Sequence, residues 1–335
     1  MMTYLCPLLL SAVAMLCIAP TQAEVPEVRF VREFSVGNFQ INTLEHEHLI
    51  QKHAAMSGIP EVKVTGLRLA GAAAMNDALL SDAVDIAVGG ANGLFILWSK
   101  TVGTQREVRA ISALNSMSYL ITSTDPDIRS IADLGKCRKI AVPAIKVSSP
   151  ALTIQRAAVK LYGLKEFDRF DPLTVSLSPA DTTVALLSGA SEINCGFAML
   201  PFVRQQLEDP RIHEVTSFFE MAGGPTTFTL AYTSKRFHDS NPKLYQAVYD
   251  ALAEATDRVS NDIRAAAQYW IEDSNSKLTV DYVAAAASGK DIQWTMIPQA
   301  TIGQAEFMYD IGTIKVKPKS WKDYFFPEAY GLPGS

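Results

Sequence analysis

The chain has 335 residues, 48% of them hydrophobic, with 30 basic side chains against 35 acidic ones and a formal net charge of −5. That length supports two lobes with separate cores. The mild acidity argues against nucleic acid or an anionic membrane surface as a partner.

Residues 1–23 carry no charged side chain, and the apolar run 5–19 is shorter than the roughly 20 residues a spanning helix needs. Pro20 and then Thr21, Gln22 and Ala23 give a small-x-small end, so the stretch reads as a secretory signal cleaved after Ala23. It lacks Lys and Arg near its start, and Leu16 before Cys17 does not fit a lipoprotein signal. A soluble exported protein is therefore expected. Cys137 and Cys195 remain after cleavage, and an oxidising compartment would permit a bridge. The first precedes a strand and the second lies inside one, a register that parallel neighbours match poorly, so two buried thiols are expected.

Strand-like segments 28–34, 62–69, 84–88 and 108–114 alternate with helix-like segments 40–56, 75–80 and 92–99. A second unit repeats the scheme: strands at 139–142, 173–177, 193–198 and 214–218, a helix from Pro150, another at 181–187, and the segment 201–207. Such alternation predicts parallel sheets covered on both faces. Between the units runs "SMSYLITSTD" and after the second comes "TFTLAYTSKRF", both extended in composition, so the chain crosses to a second lobe and returns. The rest is helical, with Leu244, Val248, Leu252 and Val259 on one face. The aromatics of the tail "SWKDYFFPEAYG" are expected to pack against a lobe. The division is 24–117 and 232–335 for lobe 1 and 118–231 for lobe 2.

In open parallel α/β sheets, ligands sit beyond the carboxyl ends of the strands. Those positions hold "SVGNF", "AGAAAMN", "GGAN", "PAIKVSSP", "SLSPADTT" and "AMLPF", most of them rich in small residues that let backbone N–H groups approach a ligand. In "KVSSPALTIQ", Ser149 is placed as N-cap and Pro150 as the first helical residue. The helix end then either serves stability alone or presents its N–H groups to an anion or acceptor.

Reactive constellations are missing. There is no H-E-x-x-H, G-x-S-x-G, Walker loop or G-x-G-x-x-G in the chain. His46 and His48 are two apart, and His48, in step with Ile41 and Leu44, reads as a half-buried structural histidine. Asp85 and Asp181 read as turn or cap residues. No catalytic residue, metal site or cofactor is expected.

The stretches "DALLSDAVDIAVGGANGLFILW", "SIADLGKCRKIAVPAIKVSSPALTIQ", "LTVSLSPADTTVALLSGASEIN", "FFEMAGGPTTFTLAYTSKRF" and "SWKDYFFPEAYG" resemble the periplasmic solute-binding proteins of ABC importers, specifically the nitrate/sulfonate/taurine group. The resemblance implies a type II periplasmic-binding fold: two α/β lobes joined by two crossing strands, with a small, anionic solute trapped by hinge closure. It implies permease subunits as partners, a monomer and no enzyme activity. Carried over by motif, the ligand residues are Gly37, Asn38, Phe39, Ala72, Ala73, Gly89, Gly90 and Ala91 from lobe 1. From lobe 2 come Val147, Ser148, Ser149, Asp181 and Thr182, with Met199 and Pro201 as walls and Gly224, Pro225 and Thr226 at the return crossing. A thiamine-pyrimidine enzyme of the same superfamily is similar in fold but needs a cysteine-rich segment, which this sequence lacks. A thiamine-precursor binder and a ligand-sensing domain stay open as alternatives.

Overall fold

A computed structural model describes residues 24–335 apart from 34, 70, 71, 190 and 191; the expected signal segment lies outside the described residues. The first unit runs β1 (Glu27–Arg32), α1 (Phe39–His46), α2 (Leu49–Met56), β2 (Lys63–Arg68), α3 (Ala72–Leu80), β3 (Ile86–Gly90), α4 (Ala91–Thr101) and β4 (Val108–Met117). The second runs β5 (Leu120–Ser123), β6 (Ile140–Val142), α5 (Ser149–Tyr162), β7 (Thr174–Ser176), α6 (Pro179–Ser188), β8 (Cys195–Ala198), α7 (Val203–Leu207), β9 (His213–Ser217) and α8 (Phe218–Ala222). The chain then forms β10 (Thr227–Ser234), α9 (Lys235–Ser240), α10 (Pro242–Asn261), α11 (Ile263–Ser274), α12 (Val280–Ala287), β11 (Ile292–Trp294) and α13 (Thr301–Asp310).

Two sheets result, ordered β11-β4-β10-β3-β1-β2 and β7-β6-β8-β5-β9. Both sheets are mixed rather than parallel throughout: β5 runs against β8 and β9 in the second, while in the first β10 runs against β3 and β4 and β11 runs against β4; β5 and β10 are the strands reached by the crossings. β5 starts three residues after β4 ends, and β10 follows β9 and α8 back to the first sheet. β10 pairs in the first sheet from Thr227, so 227–231, given to the second lobe by the sequence reading, lies in the first sheet.

Burial follows the apolar periodicities. Leu244, Val248 and Leu252 of α10 join Phe30, Val88 and Ile111 in one core of the first sheet. The other face packs α3, α4 and α13, and the tail residues Tyr324 and Phe325 are buried there while Phe326 joins the first core. Ile121, Ile140, Ile154 and Phe197 form the core of the second sheet. Side chains of this size contribute about 1.5–3 kcal/mol each when fully buried.

The structure corrects three sequence readings. The helix expected over 40–56 breaks into α1 and α2 at His48, whose φ is +52°. Ile41 and Leu44 share a core with Leu49 and Ile50, a set that one straight helix would spread too widely around its axis. A left-handed residue between them turns both pairs inward, which histidine tolerates better than most. His48 is consequently exposed rather than half-buried. Cys137 and Cys195 are bridged, with their Cα atoms 5.9 Å apart. β8 begins at Cys195 rather than at 193, and Cys137 closes the 3-10 turn Ile131–Lys136, so both lie where the chain enters neighbouring strands. The contacts Arg138 N to Asn194 Oδ1 (2.8 Å) and Cys195 N to Lys139 O (3.2 Å) hold those entries side by side.

The third correction concerns α5. Its N-cap is Ser148, whose Oγ accepts from Ala151 N; Ser149 is the first helical residue and Pro150 the second. Ser148, unlike Ser149, has the extended backbone a cap needs (φ −72°, ψ 154°).

Candidate functional site

The starts of the helices that follow β3 and β6 meet across the seam between the two sheets. Gly90 ends β3 with extended backbone and leads directly into α4. Because it has no side chain, Ser149 of α5 comes close: a Cβ on Gly90 would lie 4.0 Å from Ser149 Oγ. Two residues on, Asn92 Nδ2 donates to Ser149 Oγ at 3.1 Å. Since Ser148 does the capping, the Ser149 hydroxyl is free to face the other lobe.

The same face of α5 carries Leu152, Thr153 and Arg156, at the i+3, i+4 and i+7 positions from Ser149. Leu152 packs in the core of the first sheet. Thr153 Oγ1 and Tyr119 OH are 2.7 Å apart, and Tyr119 stacks on Phe218 with ring centroids 4.9 Å apart. Arg156 reaches α13, donating from Nη2 to Gly303 O at 2.9 Å and lying 4.3 Å above the Phe307 ring. It has no carboxylate partner among the described residues, and burial lowers its pKa from the ordinary value. Together with Gln304 these residues line a cavity of about 10 Å3, room for about one water.

A second contact joins the sheets near Pro201. Tyr282 OH of α12 donates to Pro201 O at 3.2 Å, and Leu200 packs against the core formed by α11 and α12.

The sequence-derived residues divide accordingly. Gly90, Ala91 and Ser149 stand at the seam, with Ser148 directly behind as the cap. Pro201 is buried at the second contact and Met199 is half-buried in the core of the second sheet beside it. Gly37, Asn38 and Phe39 are buried against the crossing strands instead. Asn115 Nδ2 donates to Gly37 O at 2.8 Å, and a Cβ at Gly37 would meet Thr229 Oγ1 at 2.7 Å. Asn38 Nδ2 turns back to Glu33 O at 2.6 Å, and Phe39 stacks on Trp294 at 5.0 Å. Gly89 makes room for Met75, whose Cε would lie 2.7 Å from an added Cβ. Ala72 and Ala73 open α3, with Ala73 exposed.

Val147 is 46% exposed on the loop before α5. Asp181 stands in the first turn of α6 rather than at its cap, its N–H donating to the N-cap Ser178 Oγ at 3.1 Å. Thr182 is fully buried with its methyl against Gly196. In the return crossing Thr226 Oγ1 donates to Gly224 O at 2.8 Å, a turn that needs the positive φ of Gly224 (+143°), and Pro225 is exposed beside it. The sequence reading missed Asn92, Arg156, Gln304 and Phe307. Asn92 stood inside the quoted "GGAN", and Arg156 could have been found by following the helical spacing on from Ser149.

Among the described residues no group of three or more His, Cys, Asp or Glu side chains could hold a metal ion, and no helix is long and apolar enough to cross a membrane. Solved structures match the architecture closely. The periplasmic aliphatic sulphonate-binding protein SsuA of Escherichia coli matches with a TM-score of 0.68 at 15% identity, over 92% of this chain and 100% of that one. The chain has the periplasmic-binding-protein fold.

The alkanesulfonate-binding protein SsuA of Xanthomonas axonopodis pv. citri, solved with bound MOPS, shares this binding-protein fold with a TM-score of 0.63 at 16% identity, over 92% of this chain and 98% of that one. The periplasmic nitrate-binding protein NrtA of Synechocystis follows at 0.58 and 14%, over 81% and 74% of the two chains. No family model and no curated protein sequence matches the chain.

Proposed function

We propose that the protein is the solute-binding component of an ABC importer, active as a monomer in the periplasm after removal of residues 1–23. It captures a small solute between two lobes and delivers it, chemically unchanged, to the permease subunits. The lobes are 24–117 with 227–335, and 118–226, the return being drawn where β10 begins. The observation that carries this reading is the Asn92–Ser149 hydrogen bond, a polar contact between the helix starts of two lobes that a closed cleft makes.

An anionic or acceptor group on the solute is supported by Arg156 more than by the helix end. Pro150 has no N–H, Ala151 N is used by Ser148 Oγ and Leu152 N by Ser148 O, which leaves one free N–H at the start of α5. Arg156, held on an aromatic ring without a counter-charge among the described residues, is the stronger anion partner. The fold neighbours whose names mention sulphonate and nitrate agree with this choice.

The test is small-angle scattering of stripped protein titrated with the small molecules released from the freshly purified protein. The radius of gyration falls on saturation if solute selects the closed form through its differential affinity. An unchanged radius from an open starting state contradicts the proposal.

A further inference from the structure

Gln304 of α13 is only 5% exposed and lines the seam cavity together with Arg156. Its Nε2 donates to the main-chain carbonyl of Thr227 at 2.9 Å, where β10 begins. A carbonyl oxygen can be met only by the NH2 end of a carboxamide, so this bond fixes which way the group is turned. The other end, Oε1, accepts from no donor among the described residues.

Arg156 reaches the same stretch of α13 from the other lobe. Its Nη2 bonds the carbonyl of Gly303, the residue before Gln304, and its guanidinium lies over Phe307, three residues after it. A cation and an unpaired acceptor therefore line one small cavity from neighbouring positions, each oriented by a bond to a main-chain carbonyl of lobe 1.

The two groups require opposite things of a solute. Arg156 offers only N–H donors and takes an oxyanion, whereas Gln304 Oε1 offers only lone pairs and takes a hydrogen. A fully ionised oxyanion such as a sulfonate satisfies the first and sets a second acceptor against Oε1, and a buried acceptor left unpaired costs affinity. An acid that keeps an O–H near its charge satisfies both.

We infer that Gln304 is a specificity residue that selects, among oxyanions held by Arg156, those with an O–H beside the charge. That hydrogen lies on the acid group itself, as in a singly ionised phosphonate, or on a nearby carbon. The inference rests on solute capture at this seam and deepens it.

Calorimetric titration of the stripped parent and of Gln304→Met with ethanesulfonate, 2-hydroxyethanesulfonate and ethylphosphonate tests this, at a mildly acidic pH where the phosphonate keeps one proton. The three probes share a two-carbon chain and an acid group of similar size. Ethanesulfonate, which has no O–H, is expected to bind the parent at least about tenfold more weakly than one or both of the others, and the preferred probe names the source of the hydrogen. Where that probe is the phosphonate, raising the pH until its second proton leaves is expected to erase its advantage over ethanesulfonate. Gln304→Met keeps the volume and loses the acceptor; it is expected to bind all three probes equally and still to bind ethanesulfonate, which an unfolded variant would not do. Equal binding of the three by the parent, tightest binding of ethanesulfonate, or a preference that survives in Gln304→Met overturns the inference and leaves anion capture by Arg156 standing. Failure of all three to bind a parent that closes on its own released molecules overturns the inference alone, whereas a parent that never closes in the scattering titration removes solute capture as well.

Discussion

Asn92 and Ser149 are 57 residues apart in sequence and joined by a 3.1 Å hydrogen bond, one at the start of the helix after β3 and the other at the start of the helix after β6. The starts of two helices, one following a strand of each sheet, therefore touch. The adjacent serines at the start of α5 have separate tasks: Ser148 caps the helix N-terminus and Ser149 faces the other lobe.

Alanine substitution separates those tasks. Ser148→Ala loses a cap and lowers unfolding stability by about 1 kcal/mol, read in urea titrations. Ser149→Ala leaves the stripped protein within about 0.5 kcal/mol of the parent. It removes one interlobe hydrogen bond worth about 1 kcal/mol, so the closed form loses roughly fivefold in population, read by scattering or by an interlobe fluorescence-transfer pair. Equal stability losses in the two variants would mean that both hydroxyls act as caps.

The alternation of strands and helices made both sheets and both crossings legible in the sequence, because each lobe's buried faces impose the 2.0 and 3.6 periodicities directly. The site was legible only in part. Glycine and serine at strand ends marked the seam at Gly90 and Ser149. The same small residues at Gly37 and Gly196 serve close packing against Thr229 and Thr182, and composition does not distinguish the two uses. Arg156 escaped because charge on a helix face ordinarily means solvent exposure. The bridge between Cys137 and Cys195 was hidden by the turn that brings Cys137 back to the start of β8.

The disulfide spans 58 residues of sequence. Closing a loop of that length in the unfolded chain stabilises the folded protein by about 4 kcal/mol in the chain-entropy model. Cys137→Ser with Cys195→Ser is expected to lose a comparable amount in urea titrations, through earlier unfolding of the second lobe. Tryptophan probes on the first-lobe residues Trp98 and Trp321 should then report a later transition than far-ultraviolet circular dichroism. Coincident, unshifted transitions would show that the bridge contributes nothing to the second lobe.

Acid stability depends on Glu254, which accepts from Lys52, His53 and Arg258. Its pKa is lowered to about 2, first by its bond to Lys52 and then by Arg258. The folded value lies below the ordinary 4.5, so the unfolded chain binds the proton first on acidification. The contribution is fully present above the unfolded pKa and is lost as pH falls from there through about 2. Glu254→Gln should flatten the fall in stability across that window, measured by urea unfolding at successive pH values. A slope identical to the parent's would place the acid sensitivity elsewhere.

Asp273 gathers Arg32, Arg68, His46 and Asn42 beneath the end of β1. Arg32 is only 4% exposed, so Asp273→Ala strands a buried cation with Glu45 as its remaining counter-charge. Removal of one partner from a buried pair typically costs about 3–5 kcal/mol, and the residual Glu45 contact puts the expected loss toward the lower figure. Denaturant unfolding measures it; a loss below about 1 kcal/mol would show that solvent reaches Arg32.

Native mass spectrometry of the protein purified from the periplasm, beside Arg156→Ala prepared in parallel, tests the central claim most directly. The parent is expected to carry one small molecule per chain that reloads onto stripped protein with its mass unchanged, and Arg156→Ala is expected to lose most of that occupancy. A parent that never carries or reloads a small molecule, a molecule whose mass changes on incubation, or equal occupancy in the two proteins would contradict solute capture at this seam.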